Sequence, residues 1–289
     1  MNKLELETKS NVIDAVLTQH GIKARVTGGV VAPRSVQFTL ATIAPARKVK
    51  SLAGAMAAAI GEPEVQVARQ GGHIVLMVKR TDAQPVKLLT LLARTNMQKL
   101  PACTATLGLC DDGAPLLVRL PSQTVGNVLV TGDGALSLLR TMAVSLAVTN
   151  RPQNLRLAFV GNGLGDLTKF RHFSNFTAAD LVRLLGREDA NPRIVLVVNF
   201  LTVGLGQLLT KGRAAGIHVI ASSPGLGDSA GFKTLITSKC DPGDFEVMDA
   251  GQPVRFTAAT ITPAEVNQIV IGAMPKREPT RLQLASAMV

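Results

Sequence analysis

The stretch Asn127–Ala147, NVLVTGDGALSLLRTMAVSLA, holds residue types that could grip a phosphate. An apolar strand, Val128 to Val130, runs into Gly132 and Gly134. An apolar helix follows, with Ser137 near its start. Backbone N–H groups at such a helix start attract anions. In a P-loop a lysine then reaches the phosphates and a Ser or Thr hydroxyl holds Mg2+. Here Leu136 stands before Ser137 where the lysine belongs, and the loop is too short for G-x-x-x-x-G-K-[ST]. Two readings follow for Gly132 and Gly134. They form an anion-binding turn, or a plain strand–helix turn that needs glycine for its backbone. Asp133 between them would repel phosphate and favours the second.

Little else in the chain could do chemistry. Cys103, Cys110 and Cys240 are scattered, with no C-x-x-C, so neither a disulfide framework nor a metal site is expected and a reducing compartment fits. His20, His73, His172 and His218 lie far apart and read as structural. The opening MNKLELETKS lacks an apolar run, so no secretory leader is expected. No run of eighteen apolar residues is present, so no membrane span is expected. The expected location is cytoplasmic.

Charge points to a partner. Lys and Arg number 31 against 20 Asp and Glu, a formal net charge of +11, which favours a polyanion. Trp and Tyr are absent and Phe numbers nine, so base stacking has little to work with. Backbone contact with a duplex is the better expectation.

These residues need elements to position them. The 289 residues suggest two domains at ~150 residues each. In the first, NVIDAVLTQHGIKA spaces Val12, Ile13, Val16 and Leu17 as a helix, with Asn11 as N-cap and Gly21 as stop. RVTGGVVAP follows without a periodic pattern. RSVQFTLATI alternates Val36, Phe38 and Leu40 against polar residues, a half-buried strand. ARKVKSLAGAMAAAIG reads as a helix, and EVQVAR and HIVLMVKR as strands. Residues 1–82 thus form a small α+β module, a helix followed by β-α-β-β. Residues 83–126 read as a linking segment. Over 127–275, NVLVTG, RLAFVGN, RIVLVVNF and IHVIASS are continuous apolar strands between helical patterns at 135–149, 177–187 and 204–215. Such alternation predicts a parallel α/β sheet with helices on both faces. TPAEVNQIVIGAM is a short helix, and 276–289 is a tail.

One segment carries a family likeness. LLTKGRAAGIHVIASSP, Leu208–Pro224, resembles the KGRAAGIH–strand signature of the FtsK/SpoIIIE double-stranded DNA translocases, of the FtsK–HerA class. VLVTG…LLRTMAVSLA is similar to that family's P-loop strand and helix. The front module, with its Pro33–Phe38 strand, resembles the family's α-domain. The resemblance covers most of residues 10–270. It implies a RecA-like P-loop NTPase-type sheet, ATP and Mg2+ as cofactors, double-stranded DNA as partner and a hexameric habit.

The departures from the family are concentrated. The P-loop lysine is missing. The acidic pair that ends the third strand is Asn199 and Phe200. The Asp-Pro-Lys after the second strand is GNG, Gly161–Gly163, and the Thr-Gln-Arg-Pro after the fourth is SSPG, Ser222–Gly225. Four altered loops meet at the carboxyl edge, where α/β folds bind ligands. The expectation is a degenerate relative with a vestigial nucleotide site of Gly132, Asp133, Gly134, Ser137 and Asn199 and no catalytic or metal-ligating residue. Asp133, Asp166 and Asp228 are the acids that an active ATPase of unusual design would need. Arg47, Lys48 and Lys50, and Lys211 and Arg213, are candidates for DNA or subunit contact. Solvated helix ends are the alternative for the last two, and Lys276, Arg277 and Arg281 extend the set into the tail. Expected partners are double-stranded DNA, a second copy of the chain or an active relative. A scaffolding ring subunit without DNA is the rival reading.

Overall fold

The protein is described by a computed structural model that covers residues 3–271, apart from 33, 71, 81–83, 96–99, 177–179, 181, 184, 187–189, 201–204, 226–228, 240–242 and 250. The tail residues Lys276, Arg277 and Arg281, together with Asp228 and Cys240, lie outside the described residues, as does much of the helix expected over 177–187.

The front module begins with α1 (Lys3–Gln19) and β1 (Ala24–Val31), then β2 (Ser35–Thr42), α2 (Ala46–Lys50), α3 (Ala53–Ile60), β3 (Val65–Gln70) and β4 (His73–Lys79). Its antiparallel sheet runs β1-β2-β4-β3. Val36, Phe38 and Leu40 turn inward with Ile74, Leu76 and Val78 and pack on Ile13 and Leu17 of α1 and Met56 of α3. Two expectations are corrected. Asn11 is no N-cap: it lies inside α1, because residues 3–10 hold no helix breaker and Glu5 and Lys9 form an i,i+4 pair. RVTGGVV is a strand, and its signal is lost because Gly28 and Gly29 interrupt the alternation at a bulge beside Val26. Gly21 and Gly61 do end their helices, both at positive φ.

The second module contains β5 (Val86–Lys87), α4 (Leu88–Arg94), β6 (Thr104–Cys110), β7 (Pro115–Arg119), β8 (Val128–Thr131), α5 (Ala135–Thr149), β9 (Leu155–Val160), β10 (Arg193–Val198), α6 (Gly206–Lys211), β11 (Ile217–Ser223), β12 (Thr234–Ser238), β13 (Asp244–Asp249), β14 (Gln252–Thr260) and α7 (Pro263–Val270). The sheet order is β7-β6-β14-β13-β12-β8-β11-β10-β9, with β5 beside β14. Strands β12, β8, β11, β10 and β9 are parallel. Alternate residues serve opposite faces. Val128 and Val130 join the core under α5, whereas Leu129 joins Leu196 and Val219 on the other side. Burial on both faces explains the unbroken apolar runs.

Residues 83–126 are more than a link. β6 pairs with β14 and β7 with β6, so the segment widens the large sheet, and Leu88, Leu91 and Leu92 of α4 enter the core that includes α5. The short strands and turn residues hid this, because the pairing partner β14 comes after the parallel strands in the chain. The modules are tied by Arg34 to Asp244 at 3.3 Å and by the Gln37 Nε2 amide, which donates to the Asp111 carbonyl at 2.7 Å.

Candidate functional site

β8 is flanked by β11 and β12, and the turns after β8, β9, β10 and β11 gather at one edge. Gly132 has φ +87°, and an added Cβ would lie 2.0 Å from Ser238 Oγ. Gly134, the N-cap of α5, has φ +79°. Both glycines are thus required by the backbone, and no room for an anion is needed to explain them. The turn also closes on itself: the Ala135 N–H donates to the Gly132 carbonyl at 3.3 Å. A phosphate cradle would leave such a donor free. Asp133 and Ser137 are exposed on either side.

Leu136 packs on the loop after β9. The loop after β9 lies against it so closely that a Cβ at Gly163 would sit 2.8 Å from Leu136 Cδ2. One turn further along α5, Arg140 fastens the same loop. Its Nη2 donates to the Gly163 carbonyl at 2.7 Å, and its Nη1 pairs with Asp166. Asp166 is therefore committed to an internal ion pair. Arg140→Ala is expected to cost about 1–3 kcal/mol, because it strands a partly buried carboxylate and a carbonyl; a urea midpoint shift at constant m would report it.

Asn199 is 5% exposed and fully engaged. Its Nδ2 donates to the Asn162 carbonyl at 2.7 Å, and its Oδ1 accepts from Ser222 Oγ at 2.8 Å. Ser222 Oγ in turn accepts the Phe200 N–H at 3.1 Å. The ends of β10 and β11 and the loop after β9 are stapled together by neutral groups. Phe200 is held at φ +63° with 61% of its surface exposed. Among the described residues at this edge, Arg140 and Asp166 are paired with each other, Asp133 adds negative charge to the turn, and Leu136, Asn199 and Phe200 are neutral, a set that fits Mg·ATP poorly. Among the described residues, no group of three His, Cys, Asp or Glu could hold a metal ion.

The KGRAAGIH segment explains itself through packing. A Cβ at Gly212 would meet the Leu208 carbonyl at 2.3 Å, and one at Gly216, φ +69°, would meet the Ala190 carbonyl at 2.5 Å. The glycines let α6 turn tightly into β11. Arg213 is half-buried, and its Nη2 donates to the Pro121 carbonyl at 3.2 Å, whereas Lys211 is exposed. Arg47, Lys48 and Lys50 are exposed around the buried Val49. α2 has only five residues, so these cations sit in its last turn as much as its first, where positive charge is not opposed by the helix dipole. The structure does not bring this cluster together with the carboxyl edge.

His218 is 2% exposed, with no partner for Nε2. Burial, then Arg193 and Arg213, push its pKa down to about 4. Below the ordinary value near 6.5 the unfolded chain takes up a proton that the folded chain refuses. Stability therefore falls as pH drops from ~6.5 toward about 4, by about 3 kcal/mol in full. His172, also lowered by burial, adds to the same slope. Denaturation series across this range should show it, with a flatter profile for His218→Gln.

The fold has solved counterparts. The cytoplasmic domain of the Thermomonospora curvata type VII secretion ATPase EccC superposes with a TM-score of 0.55 at 17% identity, over 66% of this chain and 34% of that one. EssC, ATPases 2 and 3, from Geobacillus thermodenitrificans gives 0.49 at 15% identity, over 60% and 48%. The pCW3 conjugation coupling protein TcpA, monomer form with ATPγS, gives 0.48 at 13% identity, over 91% and 99%. The chain spans about a third of the EccC structure. No protein-family model and no curated protein matches the sequence. The second module has a RecA-like α/β fold. Among the described residues, no helix is long and apolar enough to cross a membrane.

Proposed function

We propose that this chain is a catalytically degenerate relative of the FtsK–HerA motors, a pseudo-ATPase that binds double-stranded DNA through its phosphates and assembles with itself or with an active relative. The observation that carries the reading is the carboxyl edge. Leu136 packs against the loop after β9, and Arg140 and Asn199 hydrogen-bond it, at the edge where a motor of this class would hold its nucleotide. A net charge of +11 supports the duplex as partner. Anisotropy of a labelled duplex tests this. Binding should be blind to sequence and fall steeply with salt, because released counterions supply the affinity. Absent or salt-insensitive binding refutes the DNA part.

A second reading, a scaffolding ring subunit, has one observation in its favour. Phe200 keeps an aromatic ring in solvent on a left-handed backbone, a conformation costing of order 1–3 kcal/mol. An aromatic anchor of that kind suits an interface. Sedimentation at rising concentration tests it. Assembly that Phe200→Ser abolishes supports the scaffold, and a chain that stays monomeric excludes it.

A further inference from the structure

The parallel strands carry cations at the edge opposite the closed site. Lys233 precedes β12, Lys211 and Arg213 precede β11, Arg193 opens β10, and Arg151 and Arg156 flank the start of β9. These strands are consecutive in the sheet except for β8, which starts after Asn127. At ~4.8 Å between strands, the row from β12 to β9 is about 19 Å long.

The segment 119–123 gathers this row. Arg119 stands at its start, the Pro121 carbonyl accepts from Arg213 at 3.2 Å, and the Gln123 carbonyl accepts from Lys233 Nζ at 3.4 Å. The Cys103 carbonyl accepts the Leu120 N–H at 3.1 Å, and the Cys103 thiol hydrogen-bonds Arg193 and feels the charge of Arg119. Arg193 and Arg213 both bear on the buried His218. At the far end Arg156 Nη1 donates to the Arg171 carbonyl at 3.1 Å.

Every one of these bonds ends on a carbonyl or a thiol, which leaves the charge in place. Among the described residues, none of these cations forms an ion pair with a carboxylate. Arg193 also lies near the carboxyl end of α5, through Cys103, whose N–H donates to Asn150 Oδ1 at 3.0 Å. Positive charge is favourable there, which accounts for Arg193 and not for the rest of the row. The cleft of about 350 Å3 between the modules makes the contrast. It too is rich in cations, but Arg34 is paired with Asp244, and Lys239 and Arg255 both bind Glu246, at 2.8 and 3.3 Å.

We infer that the amino edge of the parallel sheet, from Lys233 through Arg213 and Arg193 to Arg156, with Arg119 beside it, is a contact surface for the phosphate backbone of a nucleic-acid duplex. A duplex carries one charge per ~1.7 Å of axis over both strands, so about eleven lie along a row of this length and a part of them face it. Among the described residues, the surface offers guanidinium and ammonium donors and no exposed aromatic for unstacked bases, which fits a duplex better than a single strand. The inference rests on the proposed DNA-binding function and assigns it to a face that the front cluster Arg47, Lys48 and Lys50 does not share.

The test compares three forms of the full chain on one labelled duplex of mixed sequence. In the first, the exposed cations are neutralised: Arg119→Gln, Arg151→Gln, Lys211→Gln and Lys233→Gln. In the second, the same positions keep their charge as Arg119→Lys, Arg151→Lys, Lys211→Arg and Lys233→Arg. In the third, Arg47→Gln, Lys48→Gln and Lys50→Gln neutralise the front module. Thermal melts confirm that each is folded. Each lost phosphate contact lowers the slope of log affinity against log salt by about 0.9, so the first form should lose up to ~3.6 in slope and about a hundredfold or more in affinity near 0.1 M salt. The charge-retaining form should bind as the unmodified chain does, and the front-module form should change little. If the unmodified chain binds and the neutralised edge binds equally well, this surface is wrong and the DNA-binding reading survives. If the unmodified chain binds no duplex, or prefers anionic vesicles, both fall.

Discussion

Asn199→Asp is expected to destabilise the protein by about 2–4 kcal/mol and to restore no ATP hydrolysis. The substitution supplies the carboxylate that a working motor would hold near this position. Here the amide N–H2 donates to the Asn162 carbonyl at 2.7 Å, in a site that is 5% exposed. A carboxylate there faces that carbonyl as a second acceptor and buries an uncompensated charge, a change with a penalty of this size. The cost is full at neutral pH and fades as the pH falls toward ~4, where a protonated side chain can donate again. Urea midpoints at several pH values, with constant m, would show both features. Hydrolysis is not expected to return because the lysine is still absent, with Leu136 before Ser137, and the Ala135 N–H is still bonded to the Gly132 carbonyl. A variant as stable as the parent, or one that releases phosphate from ATP, would overturn this account of the edge.

The second large effect is expected far from that edge. Gly108 lies in β6, where it pairs with Ala258 of β14 beside a bulge. A Cβ at Gly108 would stand 2.0 Å from the Thr257 carbonyl oxygen, 2.8 Å from its carbon and 2.9 Å from Ala258 Cα. These are backbone atoms within a sheet and cannot step aside singly. Gly108→Ala should cost about 3–5 kcal/mol or prevent folding, the range of severe overpacking. A merely connecting segment would tolerate alanine within about 0.5 kcal/mol. Thermal unfolding of this variant therefore reads directly whether residues 83–126 belong to the large module.

What the sequence discloses follows from the range of the forces involved. The helix over 135–149 is legible to the residue, because its apolar face and flanking glycines are local signals. The parallel strands are legible as unbroken apolar runs. β1 is not, since Gly28 and Gly29 erase the alternation, and β6 is not recognised as part of the large sheet, since its partner β14 is distant in the chain. The candidate site divides in the same way. The missing lysine and acids can be read at their positions. The seal cannot, because Arg140 reaches the Gly163 carbonyl 23 residues away and Asn199 reaches Asn162 37 residues back. Arg140 stands in plain view within LLRT, but nothing local in the sequence marks it as a clasp. The amino-edge cations are individually unremarkable, and only the strand order β12-β8-β11-β10-β9 lines them up.

The most direct measurement is a calorimetric titration of the full chain with Mg·ATP, with duplex DNA present and absent, followed by an assay of released phosphate. The sealed edge predicts no saturable heat, no rise in melting temperature and no phosphate. Saturable binding with stabilisation, or DNA-stimulated phosphate release, would mean that the loops open to admit a nucleotide, and the chain would be a working ATPase.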